Sequence, residues 1–534
     1  VKFPGLTMAL TDLDLLAGRP RARLAVYVVA WCVCVAATAT KYQHARAEFA
    51  NRPAAAAETH RADGNSGHAQ IDFGGQYVMG RMVVTGHGRE LYRRPALWGV
   101  VREAYPVSAE SPAQQAAGPG HKDHDAESMM RWVMGDDDAD PAVGGPLYPP
   151  VHGLLYAPLA LLPASQAYHL FQIVSVGLTF LAGFALSRIT AGRVWWPAAT
   201  TLVCWFPGYH SGLDLAQNHA LTLAIVAGGW ALHAAGRPGL AGVAWGLLAF
   251  KPVWAVAFLA VPVLLRQWRF AFTMCVTGGG LVLATLPVVG VQSWFDWLAV
   301  GQMAAAEYEV NENWTGLSRD LGGLGRRVLL DFTLPADDRA SPAAAWLNRA
   351  LLAAVGGLTA LVALRHLGPR TAGGTGGGFV LLGAYLCCYR FMYYDAVIAA
   401  LPVMVLCADP ERWRVRPVTG TIDGRRADGG LNSFTLTCAV GLILLETLVM
   451  WLQIEGSLAI GRLGHGEAKV GGMPQHYPRA VLDTTVYTPC DTLLLLALWA
   501  RAGVGVWAGQ SANSAARAAP TSGERMSDSP TSAA

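Results

Sequence analysis

Apolar runs recur along the chain at 24–40, 165–187, 194–209, 218–235, 239–253, 254–265, 270–290, 343–364, 376–391, 395–408, 432–452 and 488–507. A bilayer core takes roughly 20 helical residues, within a range of about 17 to 25. The longer runs therefore read as spans, and 239–265 reads as one bent helix or two. The pattern predicts an all-α polytopic membrane protein with about 10–12 transmembrane helices. The first run is too long for a signal sequence and lacks a small-residue cleavage site, so it reads as an anchor.

Arginines punctuate the short connections. Arg19, Arg21 and Arg23 precede the first run, Arg188 and Arg193 follow the second, and Arg237 follows the fourth. Arg266 and Arg269, then Arg365 and Arg370, then Arg412, Arg414, Arg416, Arg425 and Arg426 mark later turns. Basic residues concentrate in short cytoplasmic loops, and putting all of these inside lets the alternation close. The expected organisation is a cytoplasmic N-terminus (1–23), a main transmembrane region (24–408), a cytoplasmic loop (409–431), C-terminal helices with an outer loop (432–507) and a disordered tail (508–534). Segments 41–164, 291–342 and 453–487 then fall outside. The first of these is large, with an Ala-rich linker near its start and an insertion-like stretch at 100–145. It ends in PLYPPVHGLLYAPLALLP, too short and Pro-rich for an ordinary span. A re-entrant or interfacial segment is expected there.

Composition agrees with lipid as the main solvent: 14% of residues are charged, against roughly 25% in soluble domains. A net charge of +3 gives no reason to expect a nucleic-acid partner. Six of the nine cysteines, Cys32, Cys34, Cys204, Cys275, Cys387 and Cys388, lie in apolar runs without zinc-ligand spacing and read as packing thiols. HKDHDAE (121–127) and GDDDAD (135–140) read as solvated charge runs rather than metal sites. GGTGGG (373–378) lacks the strand and the GK[ST] of a phosphate loop. No metal or cofactor is expected.

The chemistry-bearing residues gather on the expected outer side. Asp72 opens the polar, Gly-rich DFGGQYVMG; Asp214, Gln217, Asn218 and His219 begin the fourth span; Lys251 precedes Pro252 inside an apolar run. Arg390, Tyr393, Tyr394 and Asp395 lie at a turn, and Asn311, Asn313 and Arg319 come from the second outer loop. Ionisable residues near the membrane are costly and usually face a cavity or a partner. Each also has a plainer reading. Lys251 can snorkel, Asp395 can pair with Arg390, the Gln-Asn-His cluster can cap a helix, and Asp72 can be a solvated loop acid.

In order, DFGGQYVMG…GHGRELY, YPPVHGLLYAPLALLP, LAQNHALTLAIVAGGWALHAAGRPGLAGVAWGLLAFKP, NENWTGLSRDL and YYDAVIAALPVMVL resemble glycosyltransferase family 87 of the GT-C superfamily. The resemblance runs over roughly residues 24 to 408. The family's usual Gly-Gln-Asn reads Ala216-Gln217-Asn218 here. The resemblance implies a GT-C-like bundle with a large first extracytoplasmic loop. It implies a polyprenyl-phosphate sugar donor, typically mannose, and an acceptor on the outer face, either a glycolipid or a cell-envelope glycan. Asp72 matches the presumed catalytic base. Lys251, Arg390 and Arg319 are the cations available to a leaving phosphate, with His152 and His219 as neutral donors. Tyr148, Gln217, Asn218, Tyr394 and Asp395 complete the expected substrate contacts. A single displacement would invert the anomeric centre. Two alternatives stay open at this level: another polyprenyl-phosphate sugar such as arabinofuranose, and a transporter or flippase for a lipid-linked saccharide.

Overall fold

The computed structural model describes residues 20–50, 72–104, 143–331, 334, 338–408, 437–445, 469–470, 473–474 and 489–518. The two acidic and His-containing runs, the 409–431 loop, most of the 453–487 loop and most of the insertion-like stretch lie outside the described residues. The chain forms α1 (Pro20–Ala50), α2 (Asp72–Val84), α3 (Arg94–Ala104), α4 (Val151–Tyr156), α5 (Ala164–Ile189), α6 (Trp196–Cys204), α7 (Tyr209–Asp214), α8 (His219–Ala234) and α9 (Pro238–Gly246). It continues through α10 (Pro252–Leu264), α11 (Trp268–Val289), α12 (Gln292–Val310), α13 (Glu312–Leu317), α14 (Leu321–Leu329), α15 (Pro342–His366), α16 (Gly374–Leu386), α17 (Ala400–Cys407) and α18 (Cys490–Ala518). The architecture is all-α. Among the described residues, strand pairing is confined to a two-residue ladder, Lys469–Val470 with Met473–Pro474, and two isolated bridges.

Among the described residues, five helices are long and apolar enough to cross a bilayer: Arg21–Ala47, Ala164–Ile189, Trp268–Val289, Pro342–His366 and Cys490–Ala508. Five more apolar stretches among the described residues are shorter: His219–Ala234, Pro238–Phe250, Pro252–Leu264, Gly374–Leu386 and Tyr393–Cys407. Of the about ten to twelve expected transmembrane helices, those within the described residues divide into full-length helices and shorter pieces, and most of 432–452 lies outside the described residues. The 239–265 run shows the reason. Pro252 cannot donate an N–H and pushes the preceding residue out of the helical region. Lys251 takes φ −132° and ψ 76°, and α10 restarts with Pro252 in its first turn, where a proline fits. Large side chains such as Val256, Phe272 and Leu283 stay exposed on the outside, a surface suited to lipid.

One end of the bundle collects the Arg-bearing turns. Arg193 donates to the Ala408 carbonyl at 3.3 Å, Gln267 to Pro369 at 2.6 Å, and Trp230 to Ala372 at 2.7 Å. Arg266 also donates to the Leu364 carbonyl. These contacts bring the turns near 235, 266 and 370 together and tie the turn near 190 to the end of α17; Arg19 and the arginines of 409–431 lie outside the described residues.

At α2 the expected loop reading of DFGGQYVMG is replaced by a helix. Its Gly80 lies where a Cβ would come within 2.7 Å of the Tyr156 backbone, and a Cβ on Gly153 would meet Val83 at 2.9 Å. Two glycines therefore let α2 and α4 approach nearly backbone to backbone. Gly80→Ala is expected to cost about 1–3 kcal/mol by overpacking, read as a lower Tm in detergent. At Gly279 a Cβ would meet nothing within 4 Å, so Gly279→Ala is the control expected to hold or raise Tm.

Candidate active site

The α2–α4 approach brings Gln76 against the end of α7 and the start of α8. Gln76 Nε2 donates to the Tyr148 hydroxyl at 3.2 Å, and Gln217 Nε2 donates to the same oxygen at 2.9 Å. Tyr148 thus receives two amide hydrogens, and among the described residues no side chain takes its own proton. That O–H is available to a ligand. Burial, and then the negative charge of Asp72, hold the Tyr148 phenol well above its usual range.

Asn218 is the hub beneath. It occupies the N-cap position of α8, but its side chain caps nothing. Its Nδ2 instead donates to Gln76 Oε1 at 2.8 Å and to His152 Nε2 at 3.0 Å, and its Oδ1 accepts from the Tyr156 hydroxyl at 2.8 Å. The helix-capping reading of this cluster fails, because the amide is fully used sideways. His152 must be neutral to accept this hydrogen bond, and burial, then the positive Lys251, push its pKa down to about 3. Gln217 Oε1 and His219 Nε2 are buried without a hydrogen-bond partner among the described residues. His219 Nδ1 faces the Gln217 carbonyl at 3.0 Å.

Asp72 begins α2, where the helix N-terminus favours a carboxylate, and the Phe73 amide donates to the Leu215 carbonyl at 3.2 Å. The Asp72 carboxylate lies within electrostatic reach of Tyr148, Tyr308 and Tyr394. Two ion pairs flank these phenols. Lys251 Nζ meets both Asp395 oxygens at 2.7 and 2.8 Å and lies 5.6 Å from the Tyr394 ring centre. Asp395 therefore pairs with Lys251 and not with Arg390. Arg390 pairs with Glu309 on α12 and lies 5.4 Å from the Tyr308 ring centre.

Arg319 does not join this group. It is buried, pairs with Asp491 of α18 at 3.1 Å and donates to the Gly316 and Ser318 carbonyls, ties that fasten the second outer loop to the C-terminal helix. Asn311 accepts from the Trp314 amide at 3.0 Å as the cap of α13. Sequence reasoning missed Gln76, Tyr156, Tyr308, Glu309 and Arg326. Gln76 was within reach, since it follows Asp72 by four residues and shares its face once the segment is a helix.

The assembly offers a half-buried acid, a phenolic donor and two cations held by carboxylates. It suits activation of a hydroxyl beside an anionic leaving group. Residues 147–389 match the family model described as glycosyltransferase family 87. The match supports the resemblance carried by the sequence motifs; it includes Tyr148, His152, Gln217, Asn218, His219, Lys251 and Arg319, and leaves Asp72, Arg390, Tyr394 and Asp395 beyond its limits. No curated protein and no solved structure matches the chain significantly.

Ala216, where the family pattern has glycine, holds φ +47°, a left-handed conformation that costs an L-residue about 1–2 kcal/mol. Ala216→Gly is expected to raise Tm slightly, the relief being partly offset by glycine's freedom in the unfolded chain, whereas Ala216→Val lowers it. His152 supplies a pH test. Its folded pKa of about 3 lies below the usual 6.5 or so. The stability it contributes is present above pH 6.5 or so and is lost as pH falls towards 3, amounting to about 2 kcal/mol lost by pH 5. Tm measured from pH 7.5 to 5 should fall less steeply in His152→Gln than in the parent protein.

Proposed function

We propose that this membrane glycosyltransferase moves mannose from a polyprenyl-phosphate donor to an acceptor hydroxyl on the extracytoplasmic side, with Asp72 as general base. The observation that carries this reading is that the Asp72 carboxylate acts electrostatically on Tyr148, Tyr308 and Tyr394, with Lys251 5.6 Å from the Tyr394 ring centre and Arg390 5.4 Å from that of Tyr308. The orientation is supported by the Arg-bearing turns. They gather around residues 364–372 and 408, and Lys251 lies at the opposite end of the stretch Pro238–Phe250.

In this mechanism Asp72 accepts the proton of the acceptor hydroxyl as its oxygen bonds to the anomeric carbon. The bond from that carbon to the phosphate oxygen breaks, and the electron pair leaves with the polyprenyl phosphate. A phosphate monoester is a weak base, so its departure needs positive charge more than a proton. Lys251 and Arg390 supply that charge, and the Tyr148 hydroxyl orients a sugar or acceptor oxygen. Gln217 and Asn218 hold Tyr148 and His152 in position, His219 and Tyr394 belong to the same polar group, and Asp395 keeps Lys251 aimed. One displacement gives inversion at the sugar. The acceptor is a glycolipid or a cell-envelope glycan.

Purified protein, radiolabelled polyprenyl-phosphate mannose and a lipid extract from the host test the reading directly. Label should move to a new lipid or polymer, and Asp72→Asn should lower the rate about 10²–10⁴-fold, the usual share of a general base, with Tm and membrane insertion retained. Full activity in Asp72→Asn would remove it as the base. Transfer only from another polyprenyl-phosphate sugar would correct the donor.

A further inference from the structure

Beside the phenols lies a second charged group whose pieces are unevenly matched. Arg326 on α14 is almost completely buried, yet its Nε and Nη2 have no hydrogen-bond partner among the described residues. Asp320, also buried, forms an ion pair with Nη2 at 3.6 Å, beyond hydrogen-bond distance, and its Oδ1 accepts from the Gly323 amide at 2.8 Å. Arg390 donates to the Ala305 carbonyl at 2.9 Å and to Glu309, while its Nε has no hydrogen-bond partner among the described residues. Arg390 also holds φ +52°, a strained conformation of the sort that persists where surroundings enforce it. Among the described residues, Glu309 alone spans the two arginines: the oxygen that pairs with Arg390 lies 3.9 Å from Arg326 Nη1.

The asymmetry points to a ligand. Both arginine side chains are at most 10% exposed, whereas that of Glu309 is 42% exposed. A permanent counter-ion for two buried guanidinium groups would be buried with them and would meet both forks. Glu309 reaches in from the open side and offers one oxygen to both. A phosphate monoester has three terminal oxygens and fits two planar forks better than one carboxylate oxygen does. Among the described residues, Tyr308, Tyr389, Asp320, Arg327 and Asn348 are further polar groups near this position, and Asp72 acts on Tyr308.

We propose that Arg326 and Arg390 form an anion site, and that a phosphate monoester displaces the Glu309 carboxylate from it on binding. Glu309 is then an internal competitor which keeps the site closed until the ligand arrives. The identification of the ligand as a lipid phosphate rests on the transferase reading above; the anion site does not.

The test is thermal stabilisation of the full-length protein in detergent by farnesyl phosphate, with farnesol and inorganic phosphate as separate arms. Farnesyl phosphate should stabilise the parent protein and farnesol should not. Glu309→Gln should reach half-stabilisation at about 3–10-fold lower farnesyl phosphate, the gain expected when the competent state rises from a minor to a dominant population. Arg326→Lys, which keeps the charge but loses the fork, should need several-fold more. Unchanged or weaker binding in a monodisperse Glu309→Gln protein overturns the proposal, and Glu309→Ser carries the same test if that variant aggregates. Inorganic phosphate acting at the same concentrations would overturn the lipid phosphate as ligand. Sugar transfer with no change in Glu309→Gln binding removes the site alone. Tighter binding without any sugar transfer removes the transferase reading alone.

Discussion

The site depends on one buried amide. A polar group away from water costs free energy unless all its hydrogen-bonding capacity is met, and Asn218 meets its own by joining three other side chains. Those chains come from α2 and α4, distant in sequence from the α8 start that carries Asn218. Once Gln76 is held there, its other amide end supports Tyr148, and Asp72 lies one helical turn earlier. The network is satisfied only when α2, α4 and α8 are all docked, so it selects a single arrangement of these helices.

Charge is handled in a similar way at a higher cost. The Lys251–Asp395 pair joins a helix break to the 393–399 turn, and it is nearly shielded from water. Such a pair adds little net stability, but removing one partner of a buried pair typically costs about 3–5 kcal/mol. Its effect is therefore to specify geometry. Gly208 adds to this: it has φ +84°, and a Cβ there would lie 2.3 Å from the Tyr393 carbonyl, so the loop before α7 presses directly on the turn that carries Tyr394 and Asp395.

Much of this was legible along the chain because the bilayer constrains sequence strongly. Apolar length, the placement of arginine and the Lys-Pro break identified the helices, the Arg-bearing turns and the interruption at Lys251. The region around Asp72 was harder to read. Its glycines suggested a loop, but Gly80 and Gly153 are there so that two helices can approach closely. A glycine that permits close contact and a glycine that permits a turn are the same letter. The partner of Asp395 was equally hidden, since Arg390 is near it in sequence and Lys251 is near it only in space.

By itself, then, the sequence determined a helical membrane protein with motifs resembling those of a known family and polar residues concentrated in a few segments, because hydropathy and local motifs are properties of neighbouring residues. Which of those residues meet was decided by tertiary packing. Arg319 was drawn to Asp491 and away from the group around Asp72, while Gln76 and Tyr156 were brought into the network. Hydrogen-bond and ion-pair partners are chosen by distance and burial in three dimensions, and in a low-dielectric interior an unpaired group is too costly for the choice to be left open.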